Sequence, residues 1–247
     1  MNSLANTWTT YSFDSTEIVQ ILNQLVQILK DIDVDIRDKK QLKAGFEKLF
    51  NIQYCNIPNL DTSSYILAPN HVSDFDALIM GLVHDNIKIM SKSAWVENEK
   101  LSAFLNINYN LIGVDRTSKI SQAKALVELI KYLGSPLQTN HALIFPQGTI
   151  SDINKNSIER VQSGIFTLSN KSATPVLPVY IEQPNFNHPT RIVFGSPLPI
   201  PQKNEDFRLV WKDAIIALQN SLTPPARPPC LTEKHANNNS PSEPFFS

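Results

Sequence analysis

His71 and Asp76 are the pair whose types and spacing point to chemistry. A carboxylate on one imidazole nitrogen fixes the tautomer and raises the basicity of the other, which is the equipment of a general base. Spacing decides whether the two groups meet. On one continuous helix, five residues would set them about 140° apart, too far round to touch. On a turn the ring folds back onto the carboxylate and its other nitrogen is free to meet a hydroxyl. Two plainer readings stand beside this: a helix cap or surface pair, or a metal site completed by a second histidine. His84 follows a helix, His141 begins a strand, His188 sits in a Pro/Asn loop and His235 lies in the C-terminal stretch. None has ligand spacing with His71, so no metal is expected. Ser73 lacks a G-x-S-x-G elbow, which argues against a serine hydrolase.

The elements around the pair supply the turn. Tyr65-Ile66-Leu67-Ala68 reads as a short buried strand, broken by Pro69 and Asn70. Ala77 to Met80, with Leu82 and Val83 beyond, reads as a helix. Asp74 is the expected N-cap, which places Asp76 in the first helical turn. Farther on, strands are expected at Ile87 to Met90, Leu111 to Val114, Ala142 to Phe145, Val176 to Ile181 and Arg191 to Phe194. Helices are expected at Ala94 to Leu105, Ser118 to Leu133, Val161 to Ser169 and Phe207 to Leu222. The third-from-last of these, Ser118 to Leu133, groups Ile120, Ala123, Leu126, Val127 and Ile130 on one side, and the last turns Trp211 and Leu218 inward. The alternation implies an α/β fold, a mixed but mainly parallel sheet covered by helices on both faces. Sites in such sheets gather at the carboxyl ends of strands. Three polar clusters fall there: Asn70-His71, Asp115-Arg116 and Gln147-Gly148-Thr149.

An N-terminal helix pair precedes the sheet. Ile18, Ile21, Leu22, Leu25 and Leu29 line one face of the first helix, and Leu42 to Phe50 forms the second. The first helix reads either as packing over the sheet or as an interfacial helix on a membrane. Its amide-rich polar face, without Lys/Arg, speaks against the membrane, yet Thr16 to Lys30 is the first candidate should the chain touch one. The expected organisation is a helical segment over 1–60, an α/β domain over 61–222 and a disordered tail over 223–247, rich in Pro, Asn and Ser.

Bulk composition narrows the classes. The 247 residues carry a net charge of −1, with 42% hydrophobic and 18% charged residues. With a pI near 6.5 there is no nucleic-acid footprint. Only 7 glycines stand against 17 prolines and no G-x-G-x-x-G occurs, which excludes a dinucleotide fingerprint. No run of about 18 apolar residues is present, and residues 1–13 have no signal-like apolar core. Cys55 and Cys230 lie far apart, so a reducing compartment without a structural disulfide is the default.

Four blocks together resemble the glycerolipid acyltransferase family, typified by 1-acylglycerol-3-phosphate acyltransferase. His71 to Asp76 matches its H-x-x-x-x-D pattern. Gly113-Val114-Asp115-Arg116 resembles its second block, which ends in Arg. Phe145-Pro146-Gln147-Gly148-Thr149-Ile150-Ser151 resembles its third, usually F-P-E-G-T-R-S, and Val176-Leu177-Pro178-Val179 its fourth. The resemblance implies transfer of a fatty acyl group from a thioester, acyl-CoA or acyl carrier protein, to the hydroxyl of a lysolipid. It implies His71 as general base, Asp76 as its orienting partner and no acyl-enzyme. It implies substrate contacts from Arg116, Gln147, Gly148 and Thr149, and no cofactor beyond the co-substrate. Expected partners are the lysolipid acceptor, the thioester donor and a membrane surface. The expected location is cytoplasmic, peripheral on the inner face of a membrane. Gln147 and Ile150 depart from the family's Glu and Arg, which removes one expected phosphate-binding cation. The alternatives are a non-catalytic acyl-lipid binding protein with the same fold and a thioester hydrolase.

Overall fold

The computed structural model describes residues 15–150, 161–184, 188–200 and 204–222. In chain order these form α1 (Ser15–Asp31), α2 (Lys39–Leu49), β1 (Ile52–Cys55), β2 (Ile66–Pro69), α3 (Asp76–Gly81) and β3 (Ile87–Lys92). There follow α4 (Ser93–Val96), α5 (Glu99–Asn108), β4 (Asn110–Val114), α6 (Lys119–Leu133) and β5 (His141–Leu143). The last are α7 (Gly164–Ser172), β6 (Val176–Ile181), β7 (Thr190–Phe194) and α8 (Asn204–Leu222). The expected disordered tail lies outside the described residues.

The strands form one sheet in the order β1-β7-β6-β2-β5-β3-β4. All neighbours are parallel except β6 and β7, so the sheet is mixed and mainly parallel, as expected. Alternate residues of the central strands serve opposite faces, as a two-residue repeat requires. Leu67, Leu177, Val179 and Ile181 join the core under α1, α2, α3 and α5. Ile66, Ala68, Val176 and Tyr180 join the core under α6, α7 and α8. Trp211, on α8, is fully buried and donates its indole N–H to the Ala68 carbonyl at 3.0 Å, fixing that helix to β2.

Three expectations are corrected here. Ile52–Cys55, inside the stretch expected to be helical, is an edge strand paired in parallel with β7. Four residues next to a helix are too short for their periodicity to show in sequence. The one long helix expected over Ala94 to Leu105 is two helices, because Asn98 caps α5 by accepting the N–H groups of Lys100 and Leu101. On α6 the inward side is Ala125, Leu129 and Leu133, while Ile120 and Val127 face solvent. Period alone finds a stripe but does not say which of two apolar stripes meets the sheet.

The two readings of α1 are also resolved. Ile18, Leu22, Leu25 and Leu29 are buried in the core, so α1 packs on the domain and its apolar face is not available to a membrane. Burying four such side chains stabilises the fold by about 1.5–3 kcal/mol each, as an upper estimate.

Candidate active site

Parallel pairing of β2 and β5 builds the centre of the site. Ile66 pairs with Ala142 and Leu67 with Leu143. Both chains then leave the sheet at the same edge without losing step. At the same separation of 76 residues, the His71 N–H donates to Gln147 Oε1 at 2.9 Å. The Phe145 ring, two residues earlier, stacks on the His71 imidazole with centroids 4.0 Å apart.

The turn from β2 into α3 brings the expected pair together. His71 Nδ1 lies 3.0 Å from Asp76 Oδ2. The same oxygen accepts the N–H groups of Val72 at 2.6 Å and Ser73 at 2.9 Å. Because the carboxylate oxygen accepts, Nδ1 carries the hydrogen and Nε2 carries the lone pair. Nε2 makes no hydrogen bond among the described residues. Asp76 is fully buried and His71 nearly so, and three donors on one carboxylate oxygen leave the ring little freedom to turn. Asp76 Oδ1, also buried, has no hydrogen-bond partner among the described residues.

Asp74 does not cap the helix. α3 begins at Asp76, and the position before it is Phe75, with no side-chain cap. Asp76 sits at the helix start and its own carboxylate turns back to collect the N–H groups of the preceding turn. Asp74, nearly buried, instead supports the charge of Arg116. Burial lowers the pKa of that guanidinium and the Asp74 carboxylate opposes the shift. So Arg116, although β4 stands about 14 Å from β2 by strand spacing, is in electrostatic reach of the His71 turn. A pairing of Arg116 with Asp115 is not formed: Asp115 Oδ1 accepts from the N–H and hydroxyl of Thr117 at 2.8 and 2.7 Å.

The third cluster divides. Gln147 is buried, and its Oε1 serves the backbone of His71, where the sequence assigned it to substrate. Gly148 has φ +70°, a conformation that favours glycine, and its N–H closes a turn onto the Phe145 carbonyl at 2.9 Å. A Cβ there would also crowd the Gln162 side chain at 3.1 Å. Thr149 is exposed, with its hydroxyl toward the Ile150 carbonyl.

Sequence reasoning missed what three residues contribute. Asn70 prolongs the β2–β6 ladder past Pro69: its amide donates to the Ile181 carbonyl at 2.8 Å and accepts the Ile181 N–H at 2.6 Å. Phe145 was visible as a strand residue and as the first residue of the third block, but not as a ring stacked on His71. Lys92 ends β3, between β5 and β4, and so adds a cation to the edge that carries His71 and Arg116. It makes no ion pair among the described residues. The sequence ended this strand at Met90, so nothing in it marked Lys92. His141 lies at the opposite end of β5 and is structural. Its Nδ1 accepts the Tyr65 N–H at 3.2 Å, so Nε2 carries the hydrogen, toward the Leu60 carbonyl at 3.1 Å.

Among the described residues no three His, Cys, Asp or Glu side chains gather as metal ligands. No helix among them is long and apolar enough to cross a membrane.

The family model that matches is Acyltransferase, over residues 51–182, more than half of the chain. The chain belongs to the acyltransferase family. The matched stretch begins just before β1 and contains His71, Asp76, Arg116 and Gln147. No curated protein sequence gives a significant match. Among solved structures, the 1-acyl-sn-glycerophosphate (LPA) acyltransferase from Thermotoga maritima is similar at a TM-score of 0.49 and 18% identity, covering 92% of this chain and 90% of that chain.

Proposed function

We propose that this acyltransferase moves a fatty acyl group from a thioester donor, acyl-CoA or acyl carrier protein, to the hydroxyl of a lysoglycerolipid. The acceptor is 1-acylglycerol-3-phosphate or a related lysolipid. The observation that carries this reading is the imidazole held through Nδ1 by a buried carboxylate, with Nε2 unengaged among the described residues. His71 Nε2 takes the acceptor's hydroxyl proton as the oxygen attacks the thioester carbonyl. The tetrahedral adduct then collapses, the carbon–sulfur bond breaks, and the imidazolium returns its proton to the departing thiolate. The products are the ester and the free thiol, with no acyl-enzyme between. Asp76 holds the ring in the tautomer this requires and supports its transient charge. Arg116 and Lys92 meet the acceptor's phosphate, Arg116 as a fork of donors and Lys92 as a point charge. Gln147 acts through the His71 backbone, while Gly148 and Thr149 border the same edge. No cofactor is needed, since the thioester supplies its own leaving group.

We place the reaction at the inner, cytoplasmic surface of a membrane, with the protein peripheral, because the acceptor and product are lipids and thioester donors are intracellular metabolites. Thiol release from acyl-CoA, measured with and without a panel of lysolipids, tests the reading. Release that requires a lysolipid, and ester product in equal amount, is the expected result. Release without any acceptor indicates a hydrolase, and binding of acyl-CoA without release indicates a non-catalytic lipid-binding protein.

A further inference from the structure

A bilayer-borne acceptor, on the reading just given, requires a face that meets lipid. α1 does not supply one, because its apolar side is consumed by the core. α8 exposes Leu209, but the exposed Asp206 and Asp213 lie on the same side of that helix. α6 differs from both. Its outward side carries Ile120 at 71% exposure and Val127 at 51%. Seven residues apart, they point within about 20° of each other around the helix axis. Ala123 is exposed beside them, and the exposed Lys124 and Lys131 fall within about 40° of the same line. Lys119, also exposed, starts the helix. None of these three lysines makes an ion pair among the described residues. The helix has one acidic residue, Glu128, and Lys88 neutralises it at 2.9 Å.

We propose that α6 is the membrane-docking surface, lying along an anionic bilayer. Ile120 and Val127 enter the headgroup–acyl boundary, and Lys119, Lys124 and Lys131 meet lipid phosphates. The orientation has a consequence for the site. α6 starts three residues after Arg116, at the strand edge that carries His71. A helix flat on the bilayer therefore sets Arg116 at headgroup depth, beside the acceptor it is proposed to hold.

The test is flotation of the full chain on vesicles of phosphatidylcholine alone and of phosphatidylcholine with phosphatidylglycerol. Wild type is expected to float with the anionic vesicles, less as salt rises, and weakly with the zwitterionic ones. One lysine at such a surface is worth about fivefold in partitioning, so Lys124→Glu with Lys131→Glu should lower it by at least about 25-fold. Ile120→Ser with Val127→Ser should abolish salt-resistant binding. All four side chains are outward, so both double variants should keep the wild-type thermal melt. Both should also keep wild-type turnover of a short-chain lysolipid present as monomers. Failure of wild type to float, or equal flotation of all three proteins, overturns the proposal. A solution dimer dissolved by the Ile120/Val127 pair, without flotation, also overturns it and assigns the face to a second copy. Turnover of the monomeric acceptor tests the catalytic reading separately, so either conclusion can fail alone.

Discussion

Replacing Gln147 by Leu removes one acceptor from the buried His71 N–H and should slow catalysis without weakening acceptor binding. Gln147 is buried and its Oε1 sits 2.9 Å from that nitrogen, while the ring of the same histidine is held by Asp76 and covered by Phe145. A buried N–H left without a partner costs about 1–3 kcal/mol. The turn can recover that energy only by moving, which carries the imidazole away from the attacking hydroxyl. If the whole cost falls on the reactive arrangement, kcat drops by about 5- to 150-fold, at 1.36 kcal/mol per factor of ten. Gln147→Glu keeps an oxygen at the same place and should retain most of the rate. The assay is steady-state thiol release with acyl-CoA saturating and the lysolipid varied, for wild type and both variants. The expected pattern is a lower kcat in Gln147→Leu, an acceptor KM within about twofold of wild type, and rescue in Gln147→Glu. A raised KM with kcat unchanged would mean that Gln147 contacts the acceptor directly, and the positioning role assigned to it would be wrong.

His71→Ala should lower acyl transfer by about 10² to 10⁴ with the melting temperature little changed, and Asp76→Asn should lose much of the activity too; wild-type turnover by the purified His71 variant would refute the mechanism. Arg116→Ala should cost about 1.5–3 kcal/mol in kcat/KM on a phosphomonoester lysolipid, with a smaller loss for Lys92→Ala and a gain in affinity for Ile150→Arg. An Arg116 variant of unchanged efficiency on every acceptor turned over would remove it from the site. Burial, aided by the neighbouring His84, pushes the His141 pKa down from 6.5 to about 4. Between those values the unfolded chain binds a proton that the folded chain refuses, so this stability is fully present above pH 6.5 and is lost as the pH falls through 4. Urea denaturation from pH 7 to 4 should show a loss on the order of 2 kcal/mol in wild type, allowing for solvent screening. His141→Gln should lack that component, and parallel curves for the two proteins would contradict the argument.

How far the site was legible depends on how local each contact is. The His71–Asp76 pair closes within six residues, so motif and turn chemistry together were enough to place it. The mainly parallel sheet was equally visible, because strand and helix periods alternate through most of the chain. Contacts set by register were out of reach. The family resemblance implied a substrate contact for Gln147, but its bond to the His71 N–H was not legible, because nothing in one sequence says that β5 lies beside β2 in step with it. Sheet order explains Lys92 in the same way: it acquires meaning only when β3 falls between the strands carrying Gln147 and Arg116. On α6 the sequence grouped Ile120, Ala123, Leu126, Val127 and Ile130 on one side but gave no facing direction, because only the sheet chooses which apolar stripe is buried.

These misses share a physical cause, and it bears on how the site works. In a parallel sheet every strand delivers its exit segment to one edge, so side chains far apart in sequence meet there by pairing alone. The 76-residue separation that aligns Ile66 with Ala142 also aligns His71 with Gln147, five residues on. The His71 imidazole is therefore positioned by the rigid ladder as much as by its own turn. Asp76 fixes the imidazole from the α3 side and the β5 exit fixes the backbone and one ring face from the other. With the ring held on both sides, the group left to move is the acceptor. On the proposed reading, the cations at the β3 and β4 ends set where the acceptor's phosphate rests, and so whether its hydroxyl falls opposite Nε2.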